Sequence, residues 1–377
     1  MRAHQRTRMR ITPAAIAAAL LIVCASINAR GQHTTSMNGR QLYTAACINC
    51  HGSDGRGSPD SVVGFSDPPR PDFTDCSFAS REAAADWYAV VHQGGPVRAF
   101  SRRMPAFGKA LKPDEIERVV AYVLEFCRDK SWPRGELNLP RATATEKAFP
   151  EDETVLTASA TTARGSRDLV NTLIYERRIG SQTQWELAIP FGVREQQPGR
   201  WTGVELGDVA LALKRVLVHS GDRGYIMSAG AEAILPTGRT ATGFGSGTTI
   251  FEPFVLAAKT LPRDAFIQLH GGAEFPLKSG SEKEVFGRAA FGATLGPEFG
   301  RAFSPIVELT AARELESGAT IETDWIPQIQ VSLSKRQHVL LSFGARLPIS
   351  DRRNRPKQLV AYILWDWFDG GFLDGWR

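Results

Sequence analysis

The 377-residue chain is poor in the residues that build most redox and metal centres: five cysteines, five methionines and seven histidines. His219, His270 and His338 are scattered through the second half, with no cysteine or carboxylate at ligand spacing. No metal centre is legible there. The chain has no second Cys-x-x-Cys-His run, no nucleophile elbow and no dinucleotide fingerprint. Acidic residues are missing from the first 31 positions, which hold Arg2, Arg6, Arg8, Arg10 and Arg30. The formal charge of +5 resides in that segment: with those five arginines set aside, the 40 acidic residues face an equal number of basic ones. Nothing in this balance argues for nucleic acid as a partner.

The opening segment has the layout of an export signal. A basic stretch, "MRAHQRTRMR", precedes the apolar "AAIAAALLIVCASINA", and Ala29 and Gly31 follow as small residues at a cleavage site. Residues 1–31 are therefore read as a signal peptide. The alternative is a retained anchor, but the apolar run is short for a span of about 20 residues. Val23 is large for the residue before a lipidated cysteine, which argues against lipid on Cys24. Export puts the remaining cysteines in an oxidising compartment. Cys76 and Cys127 then form a disulfide or stay as two buried thiols.

What the chain does have is concentrated in "AACINCHGSDGRG", residues 45–57. Two residues between Cys47 and Cys50 let one helical turn offer both sulfurs to one porphyrin edge. His51 then points its imidazole at the iron, so the spacing is that of c-type haem attachment. Zinc or dithiol chemistry would leave His51 without a role. For the second axial ligand, Met37 is too close to the motif and Met227 lies in a different kind of sequence. Met104, in "SRRMPAFGKAL", is the expected ligand. His92 competes, but it falls at the end of the amphipathic "REAAADWYAVVHQ" and reads as a cap or surface residue. A Met/His pair fills both axial positions and suits electron transfer better than oxygen chemistry.

"KPDEIERVVAYVLEFC" places Ile116, Val119, Val120, Val123 and Leu124 at helical spacing, a helix expected to pack across "NGRQLYTAACINCH". With "CINCHGSDGRG", "MPAFG" and "EIERVVAYVLEF", residues 38–128 resemble a class I cytochrome c. The resemblance covers about a quarter of the chain and implies one covalent haem c on Cys47 and Cys50, with His51 and Met104 as iron ligands. The proline-rich "SDPPRPDFTDC" departs from the family and is expected to form a wall of the haem crevice. The cytochrome domain is assigned to residues 32–128.

Residues 129–165 have no sustained periodicity and are broken by Pro133, Pro140 and Pro150. They read as a linker, with at most a short strand at 153–162. From 166 to 377 the period is two. In "QWELAIPFGVR", Trp185, Leu187, Ile189, Phe191 and Val193 alternate with polar or small residues. "FIQLHGGAEFPL", "WIPQIQVSLS" and "HVLLSFGARLPI" behave alike. Eleven or twelve such runs, of 10–14 residues, exceed the usual strand of about 5–6 and match the roughly 9–11 of a tilted membrane strand. The polar face suits a wet lumen. The terminal "LVAYILWDWFDGGFLDGWR" offers Trp365, Trp367, Phe368, Phe372 and Trp376 to interfacial girdles.

"GVELGDVALALKRVL", "AEAILPTGRTATGFGSGTTIFEPFVLAAKTL" and "GGAEFPL" resemble a family of outer-membrane barrels associated with phenol-degradation pathways. They share a GD-V strand start, an LPTG turn and a glycine-rich loop, over residues 203–277. That family implies a fold and little about substrate. The expected fold is thus a small all-α cytochrome domain followed by an antiparallel transmembrane barrel of about twelve strands.

The whole resembles porin–cytochrome fusions. This implies an electron-transfer protein of the outer membrane, with its haem domain on the periplasmic side and periplasmic or membrane redox partners. A barrel of about twelve strands is too narrow to swallow the domain, so the haem is expected at or beneath its mouth. Two other readings stand beside this one. One is an outer-membrane solute channel with a redox-docking or redox-sensing cytochrome. The other is a soluble periplasmic haem-dependent oxidoreductase.

Overall fold

The computed structural model describes residues 37–66, 70–163, 166–295 and 302–366. The signal peptide lies outside these residues, as do Trp367, Phe368, Phe372 and Trp376 of the expected aromatic terminus. Six helices come first: α1 (Gly39–Ala46), α2 (Ile48–His51), α3 (Asp60–Val63), α4 (Cys76–Ala79), α5 (Ala84–Gln93) and α6 (Pro113–Leu124). In α6, Ile116, Val119, Val120 and Val123 are buried, the stripe its periodicity demands. Pro113 occupies the first turn, and the Glu115 carboxylate accepts the Lys112 N–H at 2.9 Å. Val119 and Val123 share a core with Leu42 and Tyr43 of α1 and with Phe73. The two helices meet at Gly39, where a Cβ would stand 2.2 Å from the Arg118 carbonyl oxygen. Only glycine permits that approach. Cys76 and Cys127 are joined as a disulfide, with Cα atoms 5.0 Å apart.

Twelve long strands follow: β1 (Glu153–Ala163), β2 (Ser166–Ile179), β3 (Thr183–Gln197), β4 (Val209–Ser220), β5 (Tyr225–Leu235), β6 (Ile250–Thr260), β7 (Ala265–Pro276), β8 (Glu284–Ala293), β9 (Phe303–Glu314), β10 (Glu322–Ser332), β11 (Val339–Pro348) and β12 (Gln358–Asp366). Each pairs antiparallel with its neighbours in sequence, and β12 returns to β1 with Glu153 opposite Asp366. The sheet is closed and exposes no edge. β1 corrects the expected boundary at 166: the run inside the supposed linker is a full strand of the wall, paired on both sides. Its Thr, Ser and Ala side chains hid the alternation. One end of the barrel carries the connections at residues 180–182, 221–224, 261–264, 294–302 and 333–338, four of them brief, and both chain ends of the barrel lie there. The opposite end has longer loops, at 198–208, 236–249 and 349–357.

The wall is apolar outside. In β6, Phe251 and Val255 are exposed while Glu252, Phe254, Leu256 and Ala258 are buried. In β9, Val307 and Leu309 are exposed, while Ser304, Ile306, Glu308 and Thr310 point into the barrel and are buried. This is the alternation read from the sequence. It is inverted relative to a water-soluble barrel and matches a lipid-facing one.

The lumen is filled by the protein's own chain. Residues 135–152, expected to be linker, run inside the wall as a plug. Near the short-turn end, Leu137, Leu139, Ala142, Ala148 and Phe149 pack against Val216, Ile226, Leu256, Phe266 and Ile306 from five strands. Fully burying a side chain such as Leu137 or Phe149 is worth about 1.5–3 kcal/mol.

Further in, the contacts are polar. Both carboxylate oxygens of Glu308 accept successive plug N–H groups: Thr143 (2.7 Å), Ala144 (3.1 Å) and Thr145 (2.7 Å). Arg141 donates to Glu153 and Glu176 at 2.7 Å each. Tyr362 donates to the Arg141 carbonyl (2.6 Å) and Gln268 to that of Pro140 (2.8 Å). A chain without secondary structure survives there because the wall satisfies its backbone groups.

Candidate functional site

The candidate haem residues Cys47, Cys50 and His51 sit on one turn. The Cys50 and His51 N–H groups both donate to the Cys47 carbonyl, at 3.2 and 3.0 Å. Gly52, with φ 72°, ends the turn immediately after His51. The following loop folds back over it: Gly57 N–H donates to the His51 carbonyl (2.9 Å) and Ser58 N–H to that of Cys50 (3.0 Å). The buried Tyr43 hydroxyl donates to the Gly52 carbonyl at 2.7 Å. The carbonyls of Cys47, Ile48, Cys50, His51 and Gly52 are all occupied, which fastens the turn that carries Cys47, Cys50 and His51.

Burial pushes the His51 imidazole below its ordinary pKa, so the ring is neutral at pH 7, the form that ligates a metal. Burial, with Cys50 adjacent, pushes the Cys47 thiol up to about 11. Phe73 stacks on the His51 ring at 4.9 Å and meets Trp87 of α5 edge-on at 5.6 Å. Phe73 belongs to the proline-rich segment expected to wall the crevice.

Met104 is half-buried on a loop hung from the C-terminal end of α5. Its carbonyl accepts the Gly95 N–H at 3.0 Å, while Phe107 and Gly108 donate to Val91 and His92 at 2.9 and 3.0 Å. A buried ion pair fixes the same loop: Arg98 donates to Asp86 of α5 at 2.9 Å. Asp86, Arg98, Phe73 and Tyr43 carry the geometry, and sequence reasoning missed all four as positioning residues. Asp86 and Arg98 are twelve positions apart, a spacing with no local meaning. His92 stacks on Tyr88 at 5.6 Å and lies against Gly108, as part of the loop's support.

The residues fit a c-type haem. Cys47 and Cys50 are free thiols on the same turn, and His51 Nδ1 is buried without a hydrogen-bond partner. Buried polar atoms are nearly always paired, so this ring belongs to a site rather than to a core.

The helical domain rests on the short-turn end of the barrel. Arg81 pairs with Asp152 at 2.6 Å, and Glu82 accepts from His338 at 3.0 Å. Arg178 lies 4.5 Å over Trp132, and Arg336 lies 4.8 Å over Phe100. Among the described residues, no helix is long and apolar enough to cross a membrane.

Residues 35–123 match the family described as "Cytochrome C oxidase, cbb3-type, subunit III". No curated protein matches the chain. Among solved structures, an outer-membrane channel from Pseudomonas putida F1 is 14% identical, with TM-score 0.46 over 60% of this chain and 99% of that one. The NanC porin is 8% identical, with TM-score 0.41 over 56% of this chain and 98% of that one. The KdgM porin is 8% identical, with TM-score 0.38 over 57% and 99%. The chain joins a haem-binding cytochrome domain to a closed twelve-stranded antiparallel barrel.

Proposed function

We propose that this protein is an electron-transfer cytochrome anchored in the outer membrane by its own barrel. One haem c is held through thioethers to Cys47 and Cys50, with His51 and Met104 on the iron. The observation that carries the reading is the capped turn that presents two free thiols and the unpaired His51 ring together. When bound, the haem supplies one-electron redox chemistry. The chain supplies a neutral imidazole, a sulfur loop pinned by Asp86 and Arg98, and the aromatic wall of Phe73 and Trp87.

The short-turn end is assigned to the periplasm, because short turns face that side in such barrels. The haem domain then meets periplasmic or membrane redox partners. The plug weighs against an open solute channel, and the exposed apolar outer wall weighs against a soluble oxidoreductase.

Fractionation with haem staining tests the anchor: a heat-modifiable, haem-positive band belongs in the outer-membrane fraction, and full solubility without detergent would sink the reading. Replacing Met104 by Ala tests the ligand. The oxidised protein should lose its sulfur-to-iron absorption band and its potential should fall, while the haem stays attached. An unchanged band assigns the sixth position to another residue.

A further inference from the structure

The turn between β10 and β11, residues 333–338, does more than close the barrel. It meets the helical domain at two points. His338 Nε2 lies 3.0 Å from the Glu82 carboxylate, and the Arg336 guanidinium lies 4.8 Å over the ring of Phe100. The turn is fastened from within. Ser334 Oγ accepts the His338 and Val339 N–H groups at 3.2 Å each, and the Gln337 N–H donates to the Ser334 carbonyl at 3.1 Å. Gln337 is buried and holds φ 63°, a left-handed conformation that few side chains adopt. Such strain persists where the surroundings over-determine it. Here it sits between the two residues that reach the helical domain.

Phe100 is the other half of the contact. It is 41% exposed, too open to serve a core. Ala99 before it is also left-handed, at φ 55°. The backbone of Phe100 is tied to that of Met104. The Phe100 N–H donates to the Gly95 carbonyl at 2.9 Å, the Gly95 N–H to the Met104 carbonyl at 3.0 Å, and the Met104 N–H to the Ser101 carbonyl at 3.2 Å. Ser101 follows Phe100, so the circuit closes on itself. A Cβ on Gly95 would stand 2.3 Å from the Ser101 carbonyl oxygen and 3.2 Å from the Met104 Cβ. With the two limbs of the loop pressed together in this way, a displacement of Phe100 moves the backbone that carries Met104.

We infer that Arg336 is a positioning residue for the haem: from the barrel, it holds Phe100 and, through Phe100, the loop of Met104. A cation over an aromatic face is held there by the quadrupole of the ring. Asp86 and Arg98 fix the same loop from within the helical domain, and Arg336 fixes it from outside. The redox centre is then completed by the barrel rather than contained in the helical domain. The inference rests on the reading of Met104 as an iron ligand.

The test uses full-length, haem-loaded protein in detergent. Imidazole competes with a methionine sulfur for ferric iron, and the Soret band reports its binding. Arg336→Ala should bind imidazole about tenfold more tightly, and its potential should fall as the sulfur is held less well. Hydrogen exchange, read by mass spectrometry, should quicken over residues 95–104 and stay unchanged over α6. Arg336→Lys keeps a cation over the ring and should restore most of each effect. Heat-modifiable mobility reports that each barrel has closed, and Phe100→Leu carries the test should Arg336→Ala fail to fold. Native exchange over residues 95–104 in Arg336→Ala, or quickened exchange that Arg336→Lys does not restore, would overturn the proposal. So would a native imidazole affinity in Arg336→Ala when Met104→Ala raises it. If Met104→Ala leaves the affinity unchanged, the ligand assignment has failed instead, and exchange over residues 95–104 decides whether Arg336 holds the loop.

Discussion

Cys47, Cys50 and His51 lie within five positions of one another. The groups that hold the plug come from strands spread along the whole barrel, with Tyr362 bonding Arg141 across 221 positions. In the helical domain the candidate haem residues Cys47, Cys50 and His51 share one turn, and the loop after it fastens that turn. In the barrel, polar neighbours are set by the register. None of Glu232, Glu252, Glu274 and Glu284 is notable alone, and they form an acidic row in the lumen only because adjacent strands set those positions side by side. A local site should be removable without harm to its neighbour, whereas a site spread over many strands should not be.

The sharpest break in that comparison removes the haem attachment. The double variant Cys47→Ala, Cys50→Ala should lose the haem-stained band completely, yet still give a heat-modifiable barrel in the outer-membrane fraction. A barrel that fails to form would mean that the two regions fold as one.

The plug comes next in size. Arg141→Ala leaves Glu153 and Glu176 buried without their shared partner, a loss of about 3–5 kcal/mol for breaking a buried pair. Urea unfolding in detergent should show it. In planar bilayers the native protein should stay closed, while the variant should admit current as the plug loosens. Equal conductance from both would mean that Arg141 does not latch the plug.

The same comparison explains what could be read in the sequence. The turn that carries Cys47, Cys50 and His51 and the buried stripe on α6 were legible because each depends on spacing within a dozen residues. Strand alternation was legible as well, since side-chain direction repeats every two residues whatever the partner. The plug was not. "ELNLPRATATEKAFPEDE" has the prolines and small polar residues of a linker, and beyond a local turn at its start its backbone is satisfied by groups far away, Glu308 and Gln330 among them. β1 was hidden for a related reason. From Thr157 onward its side chains are Thr, Ala and Ser on both faces, so period two carries little contrast. The acidic row was invisible because lining up glutamates on four strands requires the register.

The smallest predicted effect concerns the "GVELGD" strand start and the glycine-rich loop, which the sequence pairs only by resemblance. The structure gives them a physical link. Asp208 accepts the Gly238 N–H at 2.8 Å, the Ser246 N–H at 2.7 Å and the Ser246 hydroxyl at 2.6 Å, clamping both ends of the loop. Burial alone would raise this carboxyl, but the Ser246 and Gly238 donors together hold it below the ordinary aspartate value. A depressed folded-state pKa means that the ionised form is the one the fold favours. The clamp therefore contributes fully above the ordinary aspartate range of about 4, and the contribution fades as pH falls through the lowered value. Asp208→Ala should remove it at every pH. Amide exchange at Gly238 and Ser246 should then quicken several-fold at neutral pH, with haem content and barrel mobility unchanged. Should exchange there stay as slow in the variant as in the native protein, the loop is held by its own turns, and the shared motif marks the fold without fastening it.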